Sequence, residues 1–392
     1  MGYFSEYMNC QFTFEGLTKE RKKWLKEITE IRRRDVLVYA SDYSKNNAPT
    51  SISPSDLLPF RDQLSFIKTT DIDVVLETPG GVAESVEDMV DSLRTKFSKV
   101  GIIIPGSAKS AGTIFTMAGD EILMSPNSSL GPIDAQMMMS NGKRFSADAF
   151  LDGLTKIKNE VLAPPGKLNP TYIPILQNIS PGEIQHCENA QHFSRTLVTK
   201  WLKAYKFKYW DIRATSGQKV TDDYKETRAK EIADKLCKHS DWLTHGRSIR
   251  IADLEQMKLQ INDYSKDKKL EEAIDRYYTL LRMTFDMTGI YKIFETVDSQ
   301  IYQSVSQAIP PTIPIQRKIE EEISSAFTDF ICPKCGNTNR IQLNLKQNIP
   351  TEKGVTLYPK NDIFICPNCS TQTNLAPIRL NVEAQTRLKV IK

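Results

Sequence analysis

Two small-residue turns and two cysteine pairs are the candidate reactive motifs of this 392-residue chain. In PGSAKSAG, Pro105 to Gly112, a serine stands between an apolar run of strand length and an apolar run of helical spacing. A tight strand-to-helix turn exposes a serine hydroxyl and aims free N–H groups of the helix start at a developing oxyanion. Ser110 holds that place, and Ala108, Ala111 and Gly112 leave room for a carbonyl to approach. An ordinary helix cap would place a serine in the same way. The segment ETPGG, Glu77 to Gly81, follows the preceding strand by the same logic and so opens at the same sheet edge. Its paired glycines free the backbone to present N–H groups inward. Neither GxxxxGK[ST] nor GxGxxG occurs, which argues against a nucleotide cradle.

Near the C-terminus, Cys332 and Cys335 in CPKCG and Cys366 and Cys369 in CPNC form C-x2-C-x30-C-x2-C. Two residues between thiolates make a knuckle whose sulfurs face one metal, and two knuckles complete a tetrahedral S4 site. The runs between them, IQLNL and VTLYP, are strand-like, so the expectation is a zinc ribbon. Four thiolates leave no open coordination position, which makes the expected Zn2+ structural. A redox pair would need no matching second pair. Cys10, Cys187 and Cys237 have no partner at ligand spacing and read as buried or idle thiols.

Strand-like and helix-like segments alternate around these motifs. Val36 to Ala40, Ile72 to Leu76, Val100 to Ile104 and Glu121 to Met124 read as buried strands. Between the second and third, Ala83, Val86, Met89, Val90, Leu93 and Phe97 recur at helical spacing, as do Ala111, Ile114, Phe115 and Ala118 between the third and fourth. Strands apolar on both faces and separated by helices predict a parallel α/β sheet with right-handed crossovers. From Ala147 the chain reads as helical, with a Pro-rich interruption from Ala163 to Gly182 and one or two helices across Lys268 to Gln307. Ala308 to Ile315, AIPPTIPI, cannot continue a helix and is the candidate linker, followed by a charged helical stretch from Gln316 to Ser325. The expected division is 1–306 as the catalytic domain, 307–328 as linker and charged helix, and 329–392 as the ribbon.

Composition bounds the function. A hydrophobic fraction of 40% and a charged fraction of 26% exclude disordered and fibrous classes. No apolar stretch is long enough to cross a bilayer, and the start lacks a basic flank with an apolar run, so the expectation is a cytoplasmic protein. The net charge of +4 is uneven: from Ile331 to Lys392 nine Lys and Arg face three Asp and Glu. A basic module suits an acidic partner, nucleic acid among them, although basic surfaces also serve solubility alone.

The segments LETPGGVAES, IIIPGSAKSAGTIFTMAGDEILMSPNSSLGPIDAQ and WLTHGRSI together resemble the serine dehydrogenase proteinase family, relatives of signal peptide peptidase A within the Clp protease and crotonase superfold. The resemblance runs from about Val36 to Leu259. It implies a ClpP/crotonase-like spiral of ββα units, self-assembly into a homo-oligomer, and hydrolysis of a peptide or protein substrate through an acyl-enzyme. Ser110 matches the family nucleophile, and Gly81 and Ala111 match its oxyanion backbone donors.

The general base is open. Clp-type enzymes place a histidine soon after the strand that follows the serine helix, but here SSLGPIDAQM holds none. The signal peptide peptidase relatives use a lysine instead, and a lysine base needs a desolvated setting. At helical spacing Phe150, Leu151, Leu154, Ile157 and Val161 share one face, which includes Lys158 and excludes Lys156. Lys158 is therefore the first candidate, with Lys156 and Lys143 in reserve. A long side chain that snorkels to water would have the same spacing. His245 in WLTHGRSI is a further candidate, whereas His186, His192 and His239 read as surface or helix residues.

The leading expectation is thus a serine peptidase with a Ser110–lysine dyad and a structural zinc ribbon. A second is a protease-like scaffold without a competent base, whose ribbon binds nucleic acid or a protein. An acyl-CoA enzyme of the crotonase kind would use acidic residues rather than an elbow serine.

Overall fold

The computed structural model describes all residues except 1, 11, 46, 139–143, 165, 214, 215, 306–323 and 392. The candidate linker and Lys143 therefore lie outside the described residues, as does the charged stretch up to residue 323. Ser325, read as the end of a helix, instead opens a strand.

Helices α1 (Tyr3–Met8) and α2 (Phe14–Arg32) precede β1 (Asp35–Ser41), α3 (Leu57–Ser65), β2 (Asp71–Glu77), α4 (Ala83–Lys96) and β3 (Lys99–Ile104). Then come β4 (Ser107–Ala108), α5 (Ala111–Thr116), β5 (Glu121–Met124), β6 (Ser129–Leu130), β7 (Gln136–Met138), β8 (Arg144–Ser146) and α6 (Ala147–Leu162). Helices α7 (Ile173–Leu176), α8 (Pro181–Trp201), α9 (Asp222–Cys237), α10 (His239–Trp242) and α11 (Ile251–Gln256) lead to β9 (Asn262–Asp263), α12 (Lys268–Met287), β10 (Ile290–Glu295) and β11 (Gln300–Ser304). The remainder is β12 (Ser325–Ile331), β13 (Thr338–Asn344), β14 (Thr356–Leu357), β15 (Ile363–Ile365), β16 (Gln372–Asn374) and α13 (Ala376–Thr386).

Two compact units result: residues 25–274 with 292–301, and residues 1–24, 275–291 and 302–392. This grouping differs from the division at 306 and 329, because residues 1–24 and 275–291 join the ribbon's unit. There the buried Arg379 guanidinium donates to the Phe12 carbonyl at 2.8 Å, and Glu383 accepts the Phe14 N–H at 2.9 Å.

In the larger unit β1, β2, β3 and β5 are parallel, with Val38 opposite Val75, Val74 opposite Ile102 and Ile103 opposite Leu123. The first three are buried on both faces after their first residue, as their unbroken apolar runs predict. Each long strand is followed by a short extended segment, and these segments form a second parallel ladder: Ile52 with Gly81, Thr78 with Ala108, and Ala108 with Leu130. A long strand, a short strand and a helix therefore repeat, which is the expected spiral of ββα units. The expectation of helices throughout Lys268 to Gln307 is corrected. Helix α12 stops at Met287, and β10 then pairs antiparallel with β1, Val38 opposite Glu295 and Ser41 opposite Lys292. Ile290, Ile293 and Phe294 form an apolar run too short for its period to separate strand from helix.

Beneath the sheet's starting edge Asp73 is fully buried, held by Arg32 Nε at 2.6 Å and Arg34 at 3.2 Å. Gly101 leaves the space this carboxylate needs, since a Cβ there would collide with Asp73 Oδ1. Burial alone would raise the Glu121 pKa, but hydrogen bonds from Lys99, Arg32 and Arg34 outweigh it and hold the carboxyl at about 2. Because the folded value is depressed, this stabilisation is complete above the unfolded pKa and is lost as pH falls through about 2. Glu121→Gln should cost on the order of 2–3 kcal/mol at neutral pH and much less near pH 2. Urea denaturation at pH 7 and at pH 2.5 checks this, and an equal cost at both would refute it. No helix among the described residues is long and apolar enough to cross a membrane.

In the second unit β12 and β13 are antiparallel and β15 and β16 form a hairpin. Ile341, Leu343, Tyr358, Phe364 and Leu375 make a small core. Arg379 reaches Asp362 at 3.0 Å and Glu383 at 3.3 Å, so this buried cation is paired on two sides.

Candidate active site

Ser110 sits between β4 and α5 with φ +50° and ψ −116°, a conformation that residues with a side chain seldom adopt. The bonds that close the turn impose it: the Gly112 N–H donates to the Lys109 carbonyl at 2.7 Å and the Thr113 N–H to the Ser110 carbonyl at 2.8 Å. The Ser110 side chain does not cap the helix, so the cap reading of the sequence falls away. Buried Glu77 accepts the Ser107 N–H at 2.7 Å and fixes the approach to the turn.

Gly80 and Gly81 face it from the end of β2, at φ +98° and +151°. A Cβ on Gly80 would stand 2.6 Å from the Lys109 carbonyl and 2.7 Å from Ser110 Cβ, so only glycine allows this approach. In the bridge between Ile52 and Gly81 the bonds are made by the Ile52 and Val82 N–H groups, which leaves the Gly81 N–H outside that pairing. Gly81 follows the end of β2 and Ala111 opens α5, and the two segments meet at the serine turn, where a Cβ on Gly80 would stand 3.1 Å from the Ala111 nitrogen.

The lysine candidates fare differently. Phe150, Leu151, Leu154, Ile157 and Val161 do share a side of α6, but all five are only half-buried, and Lys156 and Lys158 are both exposed. The inward, desolvated setting expected of Lys158 is therefore corrected: within the chain that side of α6 is only partly covered, and both lysines are exposed.

Histidine chemistry appears instead around Asp134, in the very stretch LGPID that lacks a histidine. Asp134 is 2% exposed, and its carboxylate accepts the Ser146 hydroxyl at 2.5 Å and the Gln136 amide at 2.9 Å. His239 Nδ1 lies 2.9 Å and His245 Nδ1 3.6 Å from Asp134 Oδ2. Burial pushes the Asp134 pKa up, but the hydroxyl and the two imidazoles prevail and hold it below the usual carboxylate range. His245 Nδ1 is buried, and at 3.6 Å from Asp134 it makes no hydrogen bond. The segment carrying His245 is pinned next to the serine turn: Leu130 and Ile249 exchange both backbone hydrogen bonds at 2.9 Å, and Arg250 donates to the Pro126, Asn127 and Ser128 carbonyls. His239, read as a surface or helix residue, opens α10 and belongs to this cluster. In SSLGPIDAQM the place of the Clp-type histidine is taken by no imidazole, and the functional group of the stretch is the Asp134 carboxylate. A carboxylate two dozen residues after the serine was the available signal.

In the second unit the four cysteine sulfurs lie within 4.8 Å of one another, Cys332 and Cys369 at 3.6 Å and Cys335 and Cys366 at 3.7 Å. Four sulfurs around a tetrahedral zinc stand about 3.8 Å apart, so this donor set fits the ion. Gly336 and Ser370, each just after the second cysteine of its pair, take φ +70° and +56° and turn the two knuckles alike. Their N–H groups donate to the Cys332 and Cys366 carbonyls at 2.9 and 2.8 Å. The Thr371 hydroxyl and amide draw the Cys369 thiol down to about 6, toward the thiolate a metal requires, while burial raises Cys366 to about 11.

Residues 61–160 match the family model described as ClpP-like SDH-type serine proteinase. Two uncharacterised proteins of Methanocaldococcus jannaschii are similar: MJ1495 is 27% identical over 206 residues, 53% of this chain and 56% of its own, and MJ0137 is 24% identical over 216 residues, 55% and 59%. The chain thus spans little more than half the length of the curated relatives it matches. Among solved structures, a variant of the membrane-bound stomatin-specific protease 1510-N is similar at 16% identity and a TM-score of 0.33, covering 56% of this chain and 79% of that one. The ClpP protease catalytic domain from Plasmodium falciparum is similar at 12% identity and a TM-score of 0.28, covering 53% and 79%. The stretch from the α3 helix through the serine turn to α6 therefore carries a match to the ClpP-like SDH-type serine proteinases, the family that its motifs resemble in the sequence.

Proposed function

We propose that the larger unit is a serine peptidase in which Ser110 attacks the scissile carbonyl and the Gly81 and Ala111 N–H groups receive the oxyanion. The observation that carries this reading is the strained backbone of Ser110, held between a short strand and a helix start with two positive-φ glycines opposite. Strain of this kind persists only where surrounding bonds impose it, and an elbow that lifts a hydroxyl out of the backbone is a use for it.

For the base we propose His245 oriented by Asp134. Asp134 would keep the Nδ1 proton of His245 in place, so that Nε2 accepts the Ser110 proton and later delivers it to the leaving amine. The separation of 3.6 Å must shorten by less than an ångström to become a hydrogen bond, a change of the size that substrate binding brings. A lysine of α6 could serve only if a surface from outside the chain covered it. The expected self-assembly is supported by the same helix, where Leu162 is 71% exposed and is followed by exposed Ile173 and Ile175. The ribbon's zinc would hold the second unit together and take no part in hydrolysis.

The experiment is the rate of labelling by a fluorophosphonate probe in four variants. His245→Gln and Asp134→Asn should each slow it by about a hundredfold or more, whereas Lys158→Ala and Lys156→Ala should stay within about twofold. The reverse pattern would return the base to a lysine.

A further inference from the structure

We propose that Lys109 is a positioning residue for the reaction at Ser110, strapping the segment that carries His245 to the serine turn for as long as its ammonium is protonated. The inference rests on the peptidase reading above and extends it to a residue whose place in PGSAKSAG gave no hint of a role.

Lys109 directly precedes Ser110, and its backbone is fixed on both sides. Its N–H donates to the Thr78 carbonyl at 3.0 Å, and its carbonyl accepts the Gly112 N–H at 2.7 Å. From there the side chain crosses Gly131, where a Cβ would stand 2.8 Å from Lys109 Cδ and 3.3 Å from its Cα and Cβ. A side chain at this position would push the lysine off that course. The ammonium ends on two acceptors, the Leu130 carbonyl at 2.9 Å and the Ser248 hydroxyl at 3.1 Å. Leu130 lies four residues before Asp134, and Ser248 three residues after His245. One cation therefore ties the nucleophile's own turn to the two segments that carry the base and its carboxylate.

The strap depends on charge. Lys109 faces Arg250 from the strap side and Glu77 from the end of β2. Burial and, after it, Arg250 lower the ammonium pKa, Glu77 opposes them, and together they leave it at about 8. A neutral amine is a weaker donor than an ammonium, so the two bonds weaken as pH rises through this value and are strongest below it. Misplacing a base by an ångström costs about a hundredfold in rate, so a loosened strap should register in catalysis.

The test follows fluorophosphonate labelling between pH 6 and 10, together with hydrogen exchange at the Leu130 and Ile249 amides, in the wild type, Lys109→Arg, Lys109→Met and Ser248→Ala. The wild-type labelling rate should fall above pH 8. Lys109→Arg should carry that fall beyond pH 10, because the guanidinium stays charged. Lys109→Met should label about tenfold to a hundredfold more slowly at pH 7, show no alkaline fall, and exchange both amides faster. Ser248→Ala, which removes one acceptor and no charge, should give a smaller loss of the same kind and covers the case of a Met variant that does not fold. An alkaline fall unmoved in Lys109→Arg, or Lys109→Met labelling and exchanging as the wild type does, would overturn the proposal. If the wild type itself fails to label, the peptidase reading has failed. Unchanged exchange in Lys109→Met would then refute the strap on its own account, and faster exchange would establish it.

Discussion

Ser110→Ala is expected to abolish labelling and peptide hydrolysis, a loss on the order of ten-thousandfold or more, in a protein that folds as before. Alanine keeps the β-carbon, so the strained backbone at φ +50° is neither relieved nor worsened, and the side chain makes no capping bond that folding would miss. A companion variant separates strain from chemistry. Ser110→Gly should be equally inactive yet more stable than Ser110→Ala by about 1 kcal/mol, because glycine enters positive φ without steric cost. Thermal unfolding of the three proteins reads the second effect and probe labelling the first. Near-normal turnover by Ser110→Ala would remove the nucleophile assignment, and a Gly variant no more stable than Ala would show that the turn stores no strain.

Removing zinc should have the other large effect, confined to the unit that holds the cysteines. That core is small, and a structural zinc bound by thiolates contributes roughly 10 kcal/mol or more of apparent folding free energy. Purified protein should carry one zinc per chain. Chelation or Cys332→Ser should then expose the buried Ile341, Leu343 and Phe364 and release Arg379 and Glu383 from the Phe12–Phe14 backbone. Hydrogen exchange at the Phe14 amide reports that release, and metal analysis reports the ion. Labelling at Ser110 should persist, since four thiolates leave the ion no position for substrate and the serine lies in the other unit. Protein purified without chelator and free of zinc, or a Phe14 amide indifferent to chelation, would contradict a structural metal.

The local features of this chain were legible in its residues alone. Apolar runs of strand length fixed β1, β2, β3 and β5 to within a residue or so, because burial on both faces leaves no polar alternation to blur them. The serine turn, the paired glycines and the two cysteine knuckles were legible for a related reason: each needs particular residues at adjacent positions, and adjacency is what a sequence records. Whatever depends on which side of an element meets cover was set by packing between distant segments. Helical spacing placed Lys158 on the apolar side of α6, yet that side is only half-buried and the lysine is exposed. Asp134, His239 and His245 lie up to 111 positions apart and give no local signal, but the bridge between Leu130 and Ile249 and the packing of α10 bring them to one carboxylate. Likewise β10 is a strand because β1 offers it a free edge. Desolvation and hydrogen-bond partnership are properties of the assembled surroundings, and no spacing along the chain specifies them.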